Sequence, residues 1–326
     1  MQKINFSIEK ELQHYGICDA SGAVPIDENR FIVANDEDKK DIFLRVYDSN
    51  NSGKWLEKIR INDYFTNNPE GDEVDLEAGT QIGDIFYWIT SHGRNKKTKR
   101  KEERHQFFAN EITKPEKLIL KQVGKSYTQL VLKDMLEEDS RFEDYKLKEA
   151  ETLAPKAEGG LNIEGLTATP TGELLIGFRN PIPQGKALLI PLKNPRDLLQ
   201  ENDDTVKASF GNPIELDLGG LGIRSIEYWK EYQIYLIVAG AYDTSDKFGL
   251  YSWSGNDREP PIKIELPNLP SQFKPESVLF YPQKPNHLQL LSDDGSIARV
   301  NNTQCKDIKD EDSPEKYFRS LWIKVN

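Results

Sequence analysis

Asn162-Ile163-Glu164-Gly165-Leu166-Thr167-Ala168-Thr169-Pro170-Thr171-Gly172-Glu173-Leu174-Leu175-Ile176-Gly177-Phe178-Arg179-Asn180 is the stretch that decides the fold. A charged anchor leads into a short apolar strand, a turn, a second apolar strand and a polar cluster. Runs this short, bounded by Thr, Pro and Gly, suit strands better than helices. Four other segments share the layout. They are Ser21-Gly22-Ala23-Val24 leading to Asn35-Asp36-Glu37-Asp38, and Glu77-Ala78-Gly79 leading to Ser91-His92-Gly93-Arg94. Arg224-Ser225-Ile226 leads to Gly240-Ala241-Tyr242-Asp243, and Glu276-Ser277-Val278-Leu279 to Ser292-Asp293-Asp294. Anchor to cluster is 15 residues in three segments (21→36, 77→92, 164→179) and 16 in two (224→240, 276→292).

A third strand and usually a fourth follow each cluster: residues 42–47 and 55–61, 106–109 and 118–123, 188–192 and 214–218, 250–253 and 262–266. Four strands per repeating unit are the mark of a β-propeller. The expected fold is all-β, one propeller domain over residues 1–326, with five blades and six as the alternative. Anchors fall 56, 87, 60 and 52 residues apart (21→77→164→224→276). The wide gap holds a helical and charged insertion at 125–160, with a helix expected over 127–138, or else a sixth blade. Residues 4–12 read as a strand that pairs into the last blade, and residues 317–325 also read as a strand for that blade; whichever closes the ring, the termini meet and open sheet edges are removed.

The Asn162–Asn180 stretch resembles the signature of an uncharacterised bacterial, largely cyanobacterial, domain-of-unknown-function family, and residues 21–38 and 92–108 are similar to it as well. The Glu164-Gly165-Leu166 element followed by a strand is also similar to the esterase-like phytase propellers. The resemblance implies a propeller and a bacterial origin and supplies no activity.

Composition excludes several classes. The 326 residues carry 43 Lys+Arg and 54 Asp+Glu, a net charge of −11 that disfavours a general nucleic-acid surface, which needs a basic face. With 14 Phe, 13 Tyr and 5 Trp there is enough aromatic bulk for a core. The longest apolar run, near 235–242, is far short of the roughly 20 residues that span a bilayer, and no apolar leader follows Met1. Cys18 and Cys305 are too few for a disulfide framework and form no Cys-x-x-Cys pair, so a reducing, cytoplasmic setting is expected.

In a propeller, the start of each inner strand and the end of the next lie on one face, near the axis. Glu77, Glu164, Arg224 and Glu276 are therefore expected around the channel mouth, with Asp36, Asp38, His92, Arg94, Arg179, Asp243 and Asp293 just outside. Converging glutamates repel unless a cation sits among them. Either Arg224 and Arg179 neutralise them, or Glu77, Glu164 and Glu276 hold a hard metal such as Ca²⁺ or Mg²⁺. The expected function is that of a soluble binding or interaction protein whose mouth takes a small anionic ligand or metal, or else a protein partner, with Arg224, Arg179, Arg94, Asp36 and Asp293 in contact. The alternative is a metal-assisted hydrolase of phosphoesters or other esters, with Glu77, Glu164, Glu276 and His92 as catalytic groups.

Other motifs carry less. Arg94, Lys96, Lys97, Lys99, Arg100, Lys101 and Arg104 read as a solvated loop or as a lid that attracts anions. Gly124-Lys125-Ser126 has Ile119 where a nucleotide loop needs glycine. Asp48-Ser49-Asn50-Asn51-Ser52-Gly53 ends at Ile59 where a calcium loop needs Glu. Trp88, Trp229, Trp253 and Trp322 are expected in the core.

Overall fold

The computed structural model describes residues 5–114, 118–200, 205–266 and 268–326. The first strand, β1 (Phe6–Tyr15), precedes β2 (Ala23–Pro25), β3 (Arg30–Val33), β4 (Phe43–Asp48), β5 (Gly53–Lys54) and β6 (Glu57–Arg60). The second blade is β7 (Leu76–Ile82), β8 (Ile85–Thr90), β9 (Phe107–Lys114) and β10 (Ile119–Gln122). The third is β11 (Asn162–Ala168), β12 (Leu174–Asn180), β13 (Ala187–Leu192) and β14 (Ile214–Leu216). The fourth is β15 (Gly222–Trp229), β16 (Ile234–Gly240), β17 (Phe248–Trp253) and β18 (Ile262–Ile264), before β19 (Pro275–Phe280), β20 (His287–Ser292) and β21 (Tyr317–Val325).

These strands make five sheets, β2-β3-β4-β6, β7 to β10, β11 to β14, β15 to β18, and β19-β20-β21-β1 with β5 added at its edge. The inner strands β2, β7, β11, β15 and β19 neighbour one another in a closed ring. The molecule is a five-bladed propeller. Both terminal strands belong to the last blade: β21 is third, and β1 lies outside it, antiparallel from Phe6↔Val325 to Tyr15↔Tyr317.

Blades stack face to face, so central strands bury both sides and read as unbroken apolar runs rather than alternating ones. β12 and β16 are buried along their whole length. A separate apolar cluster fills each gap between neighbouring blades. Trp88, Trp229, Trp253 and Trp322 all lie in these layers, and Trp229 stacks on Phe280 at 4.5 Å between the fourth and fifth blades. Where the third and fourth blades press closest, Gly165 and Gly177 are required, because a Cβ on either would come within 2.8 Å of the Ile223 methyl.

The insertion after the second blade is packed, not a sixth blade. Its expected helix is shorter than residues 127–138 and wound more loosely. Leu130–Met135 is π-helical, with Asp134 N donating to Gln129 O at 3.1 Å and Leu136 N to Val131 O at 3.0 Å. The buried Asp134 accepts from Tyr127 Oη and from Ala208 N, which ties the widened turn to the third blade's edge. A 3₁₀ segment (Ser140–Tyr145) and a short α1 (Leu147–Glu151) follow, burying Phe142, Leu147 and Ala150 in the core between the second and third blades.

One expectation is corrected. Cys18 and Cys305 are bonded to each other, with Cα atoms 5.8 Å apart. Their separation of 287 residues conceals the pairing until ring closure brings the end of β1 beside the β20–β21 connection. Scarcity of cysteine therefore does not argue for a reducing compartment here. No helix among the described residues is long and apolar enough to cross a membrane.

Candidate functional site

Each of four inner strands slips register beside its charged anchor. The shifts lie between Leu76 and Ala78 around Glu77, between Ile163 and Gly165 around Glu164, between Ile223 and Ser225 around Arg224, and between Pro275 and Val278 around Glu276. A bulge bends the strand and re-aims the side chain at that point. The first blade's inner strand has no shift and lines the axis with Ser21, Gly22 and Ala23. The axial cavity below is lined mainly by these small residues with Glu77, Glu164, Ser225, Ser277 and Glu227.

The mouth divides into two halves of different chemistry. In one, arginines neutralise glutamates. Arg179 Nη1 donates to Glu164 Oε1 at 2.6 Å, while its Nε and Nη2 donate to the Ala241 and Asp243 carbonyls at 2.9 Å. Asn162 Nδ2 also donates to Glu164 Oε1, at 2.8 Å. Arg224 bonds Glu276 through Nη2 and lies 3.7 Å from both Glu164 Oε2 and Asp293 Oδ2. All four of these Glu and Arg side chains are buried.

The other half is acidic. Asp36, Asp75 and Glu77 each bring a carboxylate oxygen to within 4.8 Å of the others'. Asp75 accepts from Arg104 Nη1 at 2.8 Å and from Ser91 Oγ. Asp36 Oδ1 is buried without a hydrogen-bond partner among the described residues, and the Asp36 main-chain N donates to Ser21 Oγ at 2.9 Å. The Glu77 side chain, only 7% exposed, makes no hydrogen bond or ion pair among the described residues. Burial first, and then the neighbouring carboxylates, push the proton affinities of Glu77 and Asp36 well above the usual carboxylate range. Beside them Asp19, pushed up by burial and by Asp293, hydrogen-bonds to Asp293. Burial opposes ionisation of Asp293, yet that bond and the Arg224 guanidinium hold it down to about 2.

The remaining sequence candidates lie elsewhere. His92, at φ 54°, donates Nδ1–H to the Thr90 carbonyl at 2.9 Å and packs edge-on to His105, 5.3 Å between ring centres. Burial holds its pKa down to about 4, so it is neutral. Arg94 clamps the insertion, with Nε to Glu151 O at 2.6 Å and Nη2 to Glu151 Oε2 at 3.1 Å. Arg100 also reaches Glu151, Lys101 reaches Asp72, and Arg104 reaches Glu73 and Asp75. Only Lys96, Lys97 and Lys99 of that basic run face solvent without an ion pair among the described residues. Asp38 holds Arg45 through two bonds of 2.8 and 3.0 Å. Asp75, Asp19 and Arg104 are site residues that the strand pattern did not single out. Asp75 stands just before β7 in the left-handed conformation (φ 58°), beside the register slip at Glu77, so the two-residue alternation of a strand does not place it.

Glu227, deeper along the axis, is pushed up to about 8 by burial, against hydrogen bonds from Tyr228 N and Thr167. A carboxyl whose folded pKa exceeds its unfolded value contributes stability that is complete below the unfolded pKa and lost as pH rises through the folded one. Metal-free protein should therefore become less stable to urea between about pH 5 and pH 8, and Glu227→Gln should flatten that decline. A variant with the same pH slope as the parent would show that Glu227 ionises freely.

Residues 109–269 match the family described as a protein of unknown function, DUF3616. That stretch runs from β9 to just past β18 and includes Glu164, Arg179 and Arg224. No curated protein matches the chain. The fold is similar to that of Myxococcus xanthus glutaminyl cyclase, at 10% identity and a TM-score of 0.50, over 99% of this chain and 98% of that one. It is also similar to a PQQ-bound aldose sugar dehydrogenase from Streptomyces coelicolor, at 10% identity and a TM-score of 0.48, over 99% of both chains. Identity this low speaks to the fold alone.

Proposed function

We propose that this propeller is a binding protein that holds a hard divalent cation, Ca²⁺ or Mg²⁺, between Asp36, Asp75 and Glu77, and through it a small anionic ligand. The observation that carries the reading is Glu77, a side chain only 7% exposed with no hydrogen-bond or ion-pair partner among the described residues, whose carboxylate oxygen lies within 4.8 Å of those of Asp36 and Asp75. Oxygens that bind Ca²⁺ at about 2.4 Å can lie at most about 5 Å from one another, and the three here meet that limit. Glu164 and Glu276, expected as ligands with Glu77, instead face Arg179 and Arg224, so only Glu77 of that set is assigned to the metal. The ester-hydrolase alternative needs a base beside the ion. His92, with Nδ1 on Thr90 and its ring against His105, is given no such role.

Thermal unfolding of chelator-stripped protein tests this. A cation at 100 times its Kd adds about 2.7 kcal/mol, which for a chain this long raises the midpoint by about 4 °C. The rise should appear with Ca²⁺, Mg²⁺ or Mn²⁺ and vanish in Glu77→Gln, whose metal-free midpoint should itself be higher because a crowded carboxylate is gone. Absence of any shift in the parent would sink the proposal.

A further inference from the structure

The ring is already closed by hydrogen bonds, since β1 pairs with β21 along nearly its whole length. The disulfide therefore has little to add at the closure itself. Its leverage falls on the connection between β20 and β21, which carries only the 3₁₀ turns Val300–Asn302 and Cys305–Asp307. That connection forms one wall of the mouth. At its start, Asp293 bonds Asp19 and faces Arg224. Further on, Lys306 Nζ donates to Glu37 Oε1 at 3.0 Å, next to the candidate ligand Asp36. Main-chain bonds fold the wall back on itself: Cys305 N to Ile297 O at 2.8 Å and Lys306 N to Gly295 O at 3.1 Å. Asp294 N donates to Cys18 O at 2.9 Å, so Cys18 grips the wall through its carbonyl as well as its sulfur. The seat is tight, because a Cβ on Gly295 would land on the Asp19 carboxylate.

We propose that the Cys18–Cys305 disulfide is a positioning clasp for the cation site, holding the 293–306 wall against Asp19 and Glu37 so that Asp36 keeps its place beside Asp75 and Glu77. The proposal rests on the cation reading above. Cations bind fully where a cystine persists, in an oxidising compartment, and more weakly where it does not. Partners one layer behind the ligands commonly set metal affinity by tenfold or more.

The test is calorimetric titration of Ca²⁺ into the chelator-stripped full chain, with amide hydrogen exchange over 293–307 read in parallel. Cys18→Ala/Cys305→Ala should bind about tenfold more weakly than the parent. Its far-UV circular dichroism should be unchanged and its exchange at Asp294 and Lys306 faster. Gly295→Ala, which displaces the wall while leaving the disulfide intact, should weaken binding likewise, and it serves alone if the double variant does not fold. A disulfide that only stabilises would lower the melting midpoint and leave Ca²⁺ affinity and local exchange as they were, which overturns the clasp. A parent that binds no Ca²⁺ overturns the cation reading and the proposal with it, whereas equal binding by parent and variants overturns the clasp alone.

Discussion

Arg224→Met should cost about 3–5 kcal/mol of stability, the range for removing one partner of a buried ion pair. The guanidinium is buried, bonds Glu276, and stands 3.7 Å from the carboxylates of Glu164 and Asp293. Without it, Glu276 loses its cation and Glu164 keeps only Arg179. Either the carboxylates take up protons or the mouth opens to water, and both are costly in a site this enclosed. Methionine replaces the apolar stem that packs against Gly240, while the guanidinium's seat over the Phe248 ring, 5.5 Å from its centre, is lost with the charge. Urea unfolding followed by tryptophan fluorescence measures the change. Arg224→Met/Glu276→Gln should recover a good part of the loss, because the second substitution removes the charge left stranded. A single-variant loss below about 1 kcal/mol would mean that water already screens the pair.

The second large effect is on the unfolded chain. A cross-link closing a loop of about 100 residues is worth about 4.7 kcal/mol in the chain-entropy account, and the value grows only logarithmically with length. Cys18 and Cys305 enclose nearly the whole propeller. Replacing both with alanine should lower stability by about 3–5 kcal/mol, since measured disulfides fall short of the entropic figure. The folded state should keep its five blades, because β1 and β21 hold the closure through main-chain bonds. Equilibrium denaturation of parent and variant under non-reducing conditions gives the number. A variant as stable as the parent would show that the unfolded ensemble is already compact across that span.

Much of the architecture was legible from residue order. The anchors at 21, 77, 164, 224 and 276 start the five inner strands or lie within two residues of their first residue, and the third and fourth strands fall where the apolar runs place them. The mouth was legible in part. Glu77 and Glu164 line the axial cavity, Arg224 and Glu276 pair beside Glu164, and the two arginines sit among the glutamates. What could not be read was how the charges sort. Asp75 reaches Asp36 and Glu77 because two blades meet there, and the bulge at each anchor turns its side chain by an amount that no spacing records. Arg94 looked like a mouth residue until the insertion placed Glu151 beneath it.

Local chemistry, then, determined strand, turn and repeat. The two-residue period of a strand and the turn preferences of Gly, Asn, Asp and Pro act within about ten residues of chain, so five similar segments announce five similar blades. Tertiary structure alone decided which carboxylates are neutralised and which remain crowded, why the helix in the insertion is wound loosely, and that Cys18 meets Cys305. Each of those outcomes depends on groups brought together by tertiary packing, and electrostatic and covalent pairing follow distance in space rather than distance along the chain.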